Sequence, residues 1–195
     1  MTVVVKLGGS LANTGTLRSW LRVVHDDGAG RCVVVPGGGV FADAVRSAQQ
    51  RFSFSDAAAH AMALLAMEQY AAVLADLEPA LRPCADGGEI RAALAAGGIA
   101  LWLPRAMAAA EPGVAASWTV TSDSLAAWLA GRIGARHLVL VKSAPSPPPP
   151  LSARELAKAG LVDAAFPGYI AAAGCSLGYC GPGEEARLAE ALRLG

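Results

Sequence analysis

Neither sign of charge dominates this sequence. Sixteen Lys and Arg stand against sixteen Asp and Glu, for a formal net charge of +0 with His neutral. Such a balance offers no global field to draw in nucleic acid or an anionic membrane, so neither is expected as a partner and any basic site must be local. A charged amino-terminal region followed by an apolar run and a small-residue cleavage site is also missing. The chain enters a strand pattern at Val3 instead, which argues against a secretory leader and makes the cytoplasm the expected compartment. Long uninterrupted apolar runs are absent as well. The Ala-rich stretch 57–77 is broken by His60, Glu68, Gln69 and Asp76, and reads as a buried helix rather than a membrane span. Cysteine is sparse: Cys32, Cys84, Cys175 and Cys180 form no C-x-x-C pair, and no His accompanies the last two. They read as small buried apolar side chains, with no metal site or disulfide expected.

Three common motifs are missing too. G-x-x-x-x-G-K-[ST] is absent, which excludes a P-loop, and residues 37–42 offer no G-x-G-x-x-G, which weakens a hydride-transfer reading. Ser10 follows Gly9 without a G-x-S-x-G elbow or an assignable His–acid pair, which argues against a serine hydrolase.

What is present is a large apolar content, 54% hydrophobic against 16% charged over 195 residues, enough for one substantial core. Residues 1–195 are expected to form a single domain. Two β-branched runs end in glycine: Val3-Val4-Val5-Lys6-Leu7-Gly8-Gly9-Ser10 and Cys32-Val33-Val34-Val35-Pro36-Gly37-Gly38-Gly39. Glycines at a strand end expose backbone N–H groups without a Cβ in the way, and a following helix N-terminus adds positive potential, so both turns read as anion-holding.

Between them, Leu17, Leu21 and Val24 recur at helical spacing with Gly28 as the stop, completing a β-α-β unit with parallel strands. A helix with Phe41, Ala44, Val45 and Ala48 on one side follows the second turn. A longer helix starts at Ser55 as N-cap and runs to about Leu77. Residues 99–103 form a short apolar strand, residues 125–133 a helix stopped by Gly134, and residues 137–142 another strand. Residues 144–150, rich in proline, read as an exposed polyproline loop, after which Ser152 and Glu155 form a capping box for the next helix. The alternation defines an α/β fold with a mainly parallel central sheet covered on both faces.

Ligands of such sheets sit beyond the carboxyl ends of the strands, where both glycine turns, Asp123 and Lys142 fall. Lys6 and Lys142 are charges at the ends of otherwise apolar strands, and two ammonium groups facing phosphate suit phosphoryl transfer, in which positioning and charge neutralisation do most of the catalysis. Asp123 is read either as a shared counter-ion for both lysines, as an acid acting through water on nucleotide-bound Mg²⁺, or as an ordinary first-turn helix acid. Each glycine turn by itself also fits a plain tight turn, and Lys6 by itself a solvated strand end.

Together, Val-Val-Lys-Leu-Gly-Gly-Ser at 4–10, Val-Pro-Gly-Gly-Gly at 35–39, Thr-Ser-Asp-Ser-Leu-Ala-Ala-Trp-Leu-Ala at 121–130 and Val-Leu-Val-Lys at 139–142 resemble the amino acid kinase superfamily. Acetylglutamate, carbamate, uridylate and isopentenyl phosphate kinases are among its members. The resemblance implies a three-layer αβα sandwich, with an acceptor-side lobe over about 1–120 and a nucleotide-side lobe over about 121–195. It implies ATP with Mg²⁺ as phosphoryl donor, held by Lys6, Gly8, Gly9, Ser10 and Ser143, and an acceptor cradled by Gly37, Gly38 and Gly39. Asp123 would organise the lysines, and Lys142 would lie near the nucleotide phosphates. The family's acceptor oxygen is already anionic, so no strong general base is required.

Within the superfamily, residues 55–63 with Met67-Glu68-Gln69-Tyr70, and Leu-Val-Asp-Ala-Ala-Phe-Pro-Gly-Tyr at 161–169, are similar to the small kinases of methanofuran-type cofactor synthesis. Those phosphorylate [5-(aminomethyl)furan-3-yl]methyl phosphate. His60 then becomes an acceptor-side contact, or else a core histidine, and Arg46 a nearby cation for the acceptor or a solvated helix residue. Uridylate and isopentenyl phosphate kinases are the near alternatives. A catalytically silent nucleotide- or anion-binding protein is the alternative of another class. Family members commonly dimerise, so a homo-oligomer is expected. Ser143 leads into prolines where most members carry an aspartate-glycine hairpin, which shortens the nucleotide side.

Overall fold

In the computed structural model, which describes residues 1–149 and 152–194, every residue of the first strand, β1 (Val3–Leu7), is buried. A strand apolar on both faces belongs at the centre of a parallel sheet, and β1 lies there. Six parallel strands run in the order β3-β4-β2-β1-β5-β6, where β2 is Cys32–Pro36, β3 Leu81–Cys84, β4 Ile99–Trp102, β5 His137–Val141 and β6 Ser176–Cys180. β1 pairs with β2 on one side and β5 on the other, so Lys6 lies opposite Val35 and Leu140. The chain therefore winds outward one way from β1 through β2, then crosses back to lay β5 on its other side. The switch point falls at the carboxyl end of β1.

Helices cover both faces, as an αβα sandwich requires. On one face α1 (Leu17–Asp27) and α9 (Glu185–Leu194) pack on Val3, Val5, Leu7 and Val139, with Trp20, Leu21, Val24, Leu188 and Leu192 in that core. On the other, α6 (Ser122–Ile133) and α8 (Phe166–Ala173) pack on Val4, Val33, Leu138 and Leu140. Side chains alternate along a strand, so Lys6 shares the face of Val4 and is directed toward α6. α2 (Gly39–Phe52) and α3 (Asp56–Leu77) pack together beyond the β2 end, with α4 (Gly87–Ala95), α5 (Arg105–Ala108) and α7 (Ala153–Lys158) completing the chain.

The helix anticipated from Ser55 begins there, with the Ser55 hydroxyl accepting from the Ala58 amide at 3.3 Å. It is also the one helix among the described residues long and apolar enough to cross a membrane by length and composition. Its Leu64, Met67, Tyr70 and Leu74 lie in the two cores of the sandwich. Gly134 ends α6 in the left-handed region, and Ser152 caps α7. Cys32, Cys84 and Cys180 are buried, Cys175 is half-buried, and all four are free thiols.

The structure departs from the sequence reading in three places. The buried stripe of α2 is Ala42 and Val45, with Ala44 turned to solvent, because α3 packs on a face rotated from the one expected. β3 and β6, both edge strands, carry little strand signal: Arg82 and Pro83 interrupt one and Gly178 the other. The proline-rich loop is only partly exposed, since Tyr179 Oη donates to Ala144 O and the Gly181 amide to Ser146 Oγ; Pro150 lies outside the described residues.

The two glycine turns touch each other. A Cβ built on Gly9 would stand 2.2 Å from the Gly39 amide nitrogen, and one on Gly37 would stand 2.3 Å from that of Gly9. Backbone cannot give way as a flexible side chain does. Gly9→Ala and Gly37→Ala are each expected to destabilise the fold by about 1–3 kcal/mol through this overpacking, read as a lower urea midpoint at unchanged slope. Gly15→Ala, with open space around it, is expected to leave the midpoint within about 0.5 kcal/mol of the parent.

Candidate active site

Past the carboxyl ends of β1 and β2 the sheet opens into a cleft of about 250 Å³, bordered by Lys6, Gly9, Ser10, Gly38, Gly39 and Asp123 at its sheet end. Its far end is formed by Arg46, His60, Met67, Trp118 and Val120. Three charged groups meet at the sheet end. Lys6 Nζ lies 2.7 Å from Asp123 Oδ1, and Lys142 Nζ donates to Asp123 Oδ2 at 2.7 Å. Lys6 and Asp123 are buried, 3% and 4% exposed, so solvent does not screen the pair.

The local sequence explains the convergence. Lys6 points to α6 by strand alternation, Asp123 is the second residue of α6, and Lys142 follows β5, the neighbour of β1. The Lys142 amide bonds to Cys180 O at 3.0 Å, which holds it at the sheet edge. Two ammoniums around one carboxylate leave an excess positive charge facing the cleft, an arrangement made for an anion.

The titration behaviour follows from burial. Burial by itself pushes the Asp123 carboxyl up, but the charges of Lys6 and then Lys142 reverse this and hold it below the usual carboxylate range. Burial, followed by the like charge of Lys6, pulls the Lys142 ammonium down to about 8 despite the opposing pull of Asp123. Tyr179 is pushed up to about 12, first by burial and then by the Asp123 charge.

Of the residues singled out in the sequence, Lys6, Gly9, Ser10, Gly38, Gly39, Arg46, His60 and Asp123 border one cleft. Lys142 joins it through Asp123. Ser143 joins through its hydroxyl, 2.7 Å from that of Ser10. Gly8 and Gly37 are different: their amides bond to Val141 O and Leu7 O, each at 2.9 Å. These two N–H groups extend the sheet ladder, so any part Gly8 plays at the transferred phosphate, or Gly37 at the acceptor, is not through its own amide. Arg46 is exposed, paired with Asp43 at 3.0 Å and stacked 4.4 Å over the Trp118 ring. The Trp118 indole in turn donates to Gln49 Oε1 at 2.6 Å. His60 Nε2 is buried with no hydrogen-bond partner among the described residues.

Asn13, Trp118, Thr121 and Ser122 also border the cleft and were not legible as site residues. Trp118 lies in a loop with no element pattern. Thr121, standing just before a helix, carried a signal that could have been used. Asp163 was missed as well, and it accepts from both the amide and the hydroxyl of Thr121.

A protein-held Mg²⁺ does not fit this site. Each oxygen of Asp123 lies 2.7 Å from a lysine ammonium, Oδ2 in a hydrogen bond from Lys142 and Oδ1 in an ion pair with Lys6 that lacks hydrogen-bond geometry, and no group of three His, Cys, Asp or Glu is suitably placed among the described residues. Asp123 is thus paired with both lysines.

This fold and site define a class, and comparison with known proteins agrees. The model of the amino acid kinase family matches residues 1–146, and the chain belongs to that family. The [5-(aminomethyl)furan-3-yl]methyl phosphate kinase of Methanocaldococcus jannaschii is 25% identical over 138 residues, 70% of this chain. The matched stretch spans 63% of that relative's length. Among solved structures, the uridylate kinase from Archaeoglobus fulgidus superposes with a TM-score of 0.73 at 18% identity, covering 99% of this chain and 96% of that one. The UMP kinase from Bacillus anthracis gives 0.68 at 12% identity, covering 97% and 92%.

The buried cluster makes opposite stability predictions for its members. Asp123→Asn leaves two buried ammoniums without a counter-charge and is expected to cost about 3–5 kcal/mol, whereas Lys142→Met leaves a balanced Lys6–Asp123 pair and is expected to be neutral or stabilising. The sign for Lys142 is checked by pH. Its folded pKa lies below its unfolded value, so the unfolded chain binds more protons between about 8 and about 10.5, and this residue's penalty lessens as pH rises through that window. Equilibrium denaturation of the parent and both variants at pH 7 and pH 9.5 reads both effects, any advantage of Lys142→Met over the parent shrinking at the higher pH.

Proposed function

We propose that this chain is an ATP-dependent small-molecule kinase that transfers the γ-phosphoryl group to an anionic acceptor. The observation that carries this reading is the buried Lys6–Asp123–Lys142 cluster at the floor of the cleft, a focus of positive charge where the sheet and the glycine turns meet. In phosphoryl transfer the moving group, the leaving oxygens and the acceptor oxygen all carry negative charge, and preorganised ammoniums held against bulk water stabilise it strongly. Lys6, with Gly9 and Ser10, serves the transferred phosphate; Lys142 and Ser143 serve the nucleotide side. Mg²⁺ travels with the nucleotide phosphates and takes no ligand from Asp123.

Gly38 and Gly39, at the start of α2, serve an acceptor phosphate, with Arg46 at the mouth and His60 farther in. The preferred acceptor is [5-(aminomethyl)furan-3-yl]methyl phosphate, a substrate of methanofuran-type cofactor synthesis, on the strength of the Methanocaldococcus jannaschii relative. Uridylate, supported by the fold neighbours, and isopentenyl phosphate are the near alternatives. The chain works as one domain in the cytoplasm. The exposed Val40, Phe52, Met62 and Leu65 of α2 and α3 favour a homo-oligomer.

Purified protein offered ATP, Mg²⁺ and each of these three acceptors is expected to release ADP and form a diphosphate with one of them. ATP binding without ADP release under every acceptor would instead identify a silent nucleotide-binding protein. With the active acceptor, Lys6→Met is expected to lower kcat about 100-fold or more. kcat/KM for ATP is expected to fall as pH rises through about 8, where Lys142 in the free enzyme loses its charge.

A further inference from the structure

Asp123 is the second residue of α6, so where its carboxylate goes depends on how the first turn of that helix is set. Within the helix only the backbone bond from the Leu125 amide to Thr121 O, at 3.0 Å, bears on it. Thr121 at the N-cap makes no side-chain bond back to its own helix. The cap arrives instead from 42 residues along the chain. One oxygen of Asp163, Oδ2, accepts from the Thr121 amide at 2.9 Å, the Thr121 hydroxyl at 2.8 Å and the Ser124 amide at 3.1 Å. The other, Oδ1, accepts from the Ser124 hydroxyl and from the Phe166 amide at 3.0 Å.

All these groups point donors at one carboxylate, and an ionised carboxylate is the side chain that accepts without donating. Phe166 opens α8, so a single negative charge closes the amino ends of two helices, where their dipoles favour it. The Ala165 amide adds a bond to Thr119 O at 3.1 Å, holding the approach to α6 as well. Farther along, α6 is seated by close packing, with Gly131 against Ala173 of α8. The body of the helix is thus held by its core contacts, and its first turn by Asp163.

We propose that Asp163 is a positioning residue of the transfer centre: by capping α6 from outside, it sets the first turn so that both oxygens of Asp123 meet Lys6 and Lys142 together. This role rests on the kinase reading for its catalytic consequence, but the geometry it controls exists without substrate. Removal of the cap orphans five donors and frays one turn of a helix whose remaining core contacts persist, so the fold is retained at a cost in stability no greater than that of losing Asp123 itself. The same fraying displaces Asp123, and a displacement of about 1 Å in a catalytic constellation costs on the order of 100-fold in rate.

The test compares Asp163→Ala, Asp163→Asn and Thr121→Val with the unaltered protein in two measurements. In steady-state kinetics with ATP and the active acceptor, Asp163→Ala is expected to lower kcat about 100-fold with both KM values within about twofold. Asp163→Asn, which keeps one accepting oxygen, is expected to recover part of that loss, and Thr121→Val to lose less than either.

The second measurement follows the ¹⁵N-labelled Lys142 ammonium by NMR through a pH titration, with Lys6 on β1 and Asp123 on α6 as the charged groups acting on it. Its midpoint is expected to fall in the Asp163 variants as Asp123 draws away. Folded Asp163→Ala with unchanged kcat and an unmoved Lys142 midpoint would overturn the proposal. If Asp163→Ala does not fold, the same two readouts on Thr121→Val and Asp163→Asn decide it. If the unaltered protein transfers phosphate to none of the acceptors, the kinase reading fails, and the Lys142 titration still decides whether Asp163 holds Asp123 in place.

Discussion

The structure depends on one carboxylate placed between two ammoniums. Lys6 and Asp123 are both buried, and Lys142 nearly so; a lysine drawn into such a place with no counter-charge gives up its proton or its position. Asp123 permits both lysines to remain near the sheet, and their mutual repulsion is tolerable only because its two oxygens face different partners. A single hydrogen-bonded pair would be neutral. The three-member arrangement keeps an excess positive charge, and keeps it at the open end of the sheet.

The topology makes that arrangement possible. Because the chain returns from β4 to lay β5 beside β1, residues 6 and 142 end on neighbouring strands, and the helix before β5 is α6, which carries Asp123 across the same face. The glycines serve the same end by a route different from simple phosphate cradling. Gly9 and Gly37 allow two turns to pack backbone against backbone, at distances no side chain permits. Gly8 and Gly37 continue the ladder through Val141 O and Leu7 O, while Gly9, Ser10, Gly38 and Gly39 border the cleft. The two glycine turns thus both pack against each other and border the cleft, with Gly9 doing both.

Legibility in the sequence followed burial. β1, β2, β4 and β5 are buried along almost their whole length and read as apolar runs; β3 and β6, at the edges, carry Arg82, Pro83 and Gly178 and do not. The long α3 announced itself through the Ser55 cap and its uninterrupted helix formers. Ala44 was misplaced because α3, from outside the local pattern, chose which face of α2 to cover. Among site residues, charges in apolar strands were visible, whereas Trp118 and Asp163 were not, since their partners Gln49 and Thr121 are distant in sequence.

By itself the sequence determined the class of fold, the central strands, and the identity of Lys6, Asp123 and Lys142 as charges in need of a reason. These are local properties: burial periodicity, caps, and a charge standing out in an apolar run. Tertiary structure alone decided that Asp123 uses both oxygens on lysines, that two of the glycine amides belong to the sheet, and that a residue 42 positions away caps the helix bearing the central acid. Each of those depends on which carbonyl, ammonium or hydroxyl comes within about 3 Å, a distance at which hydrogen bonds form or fail and which only the folded chain sets.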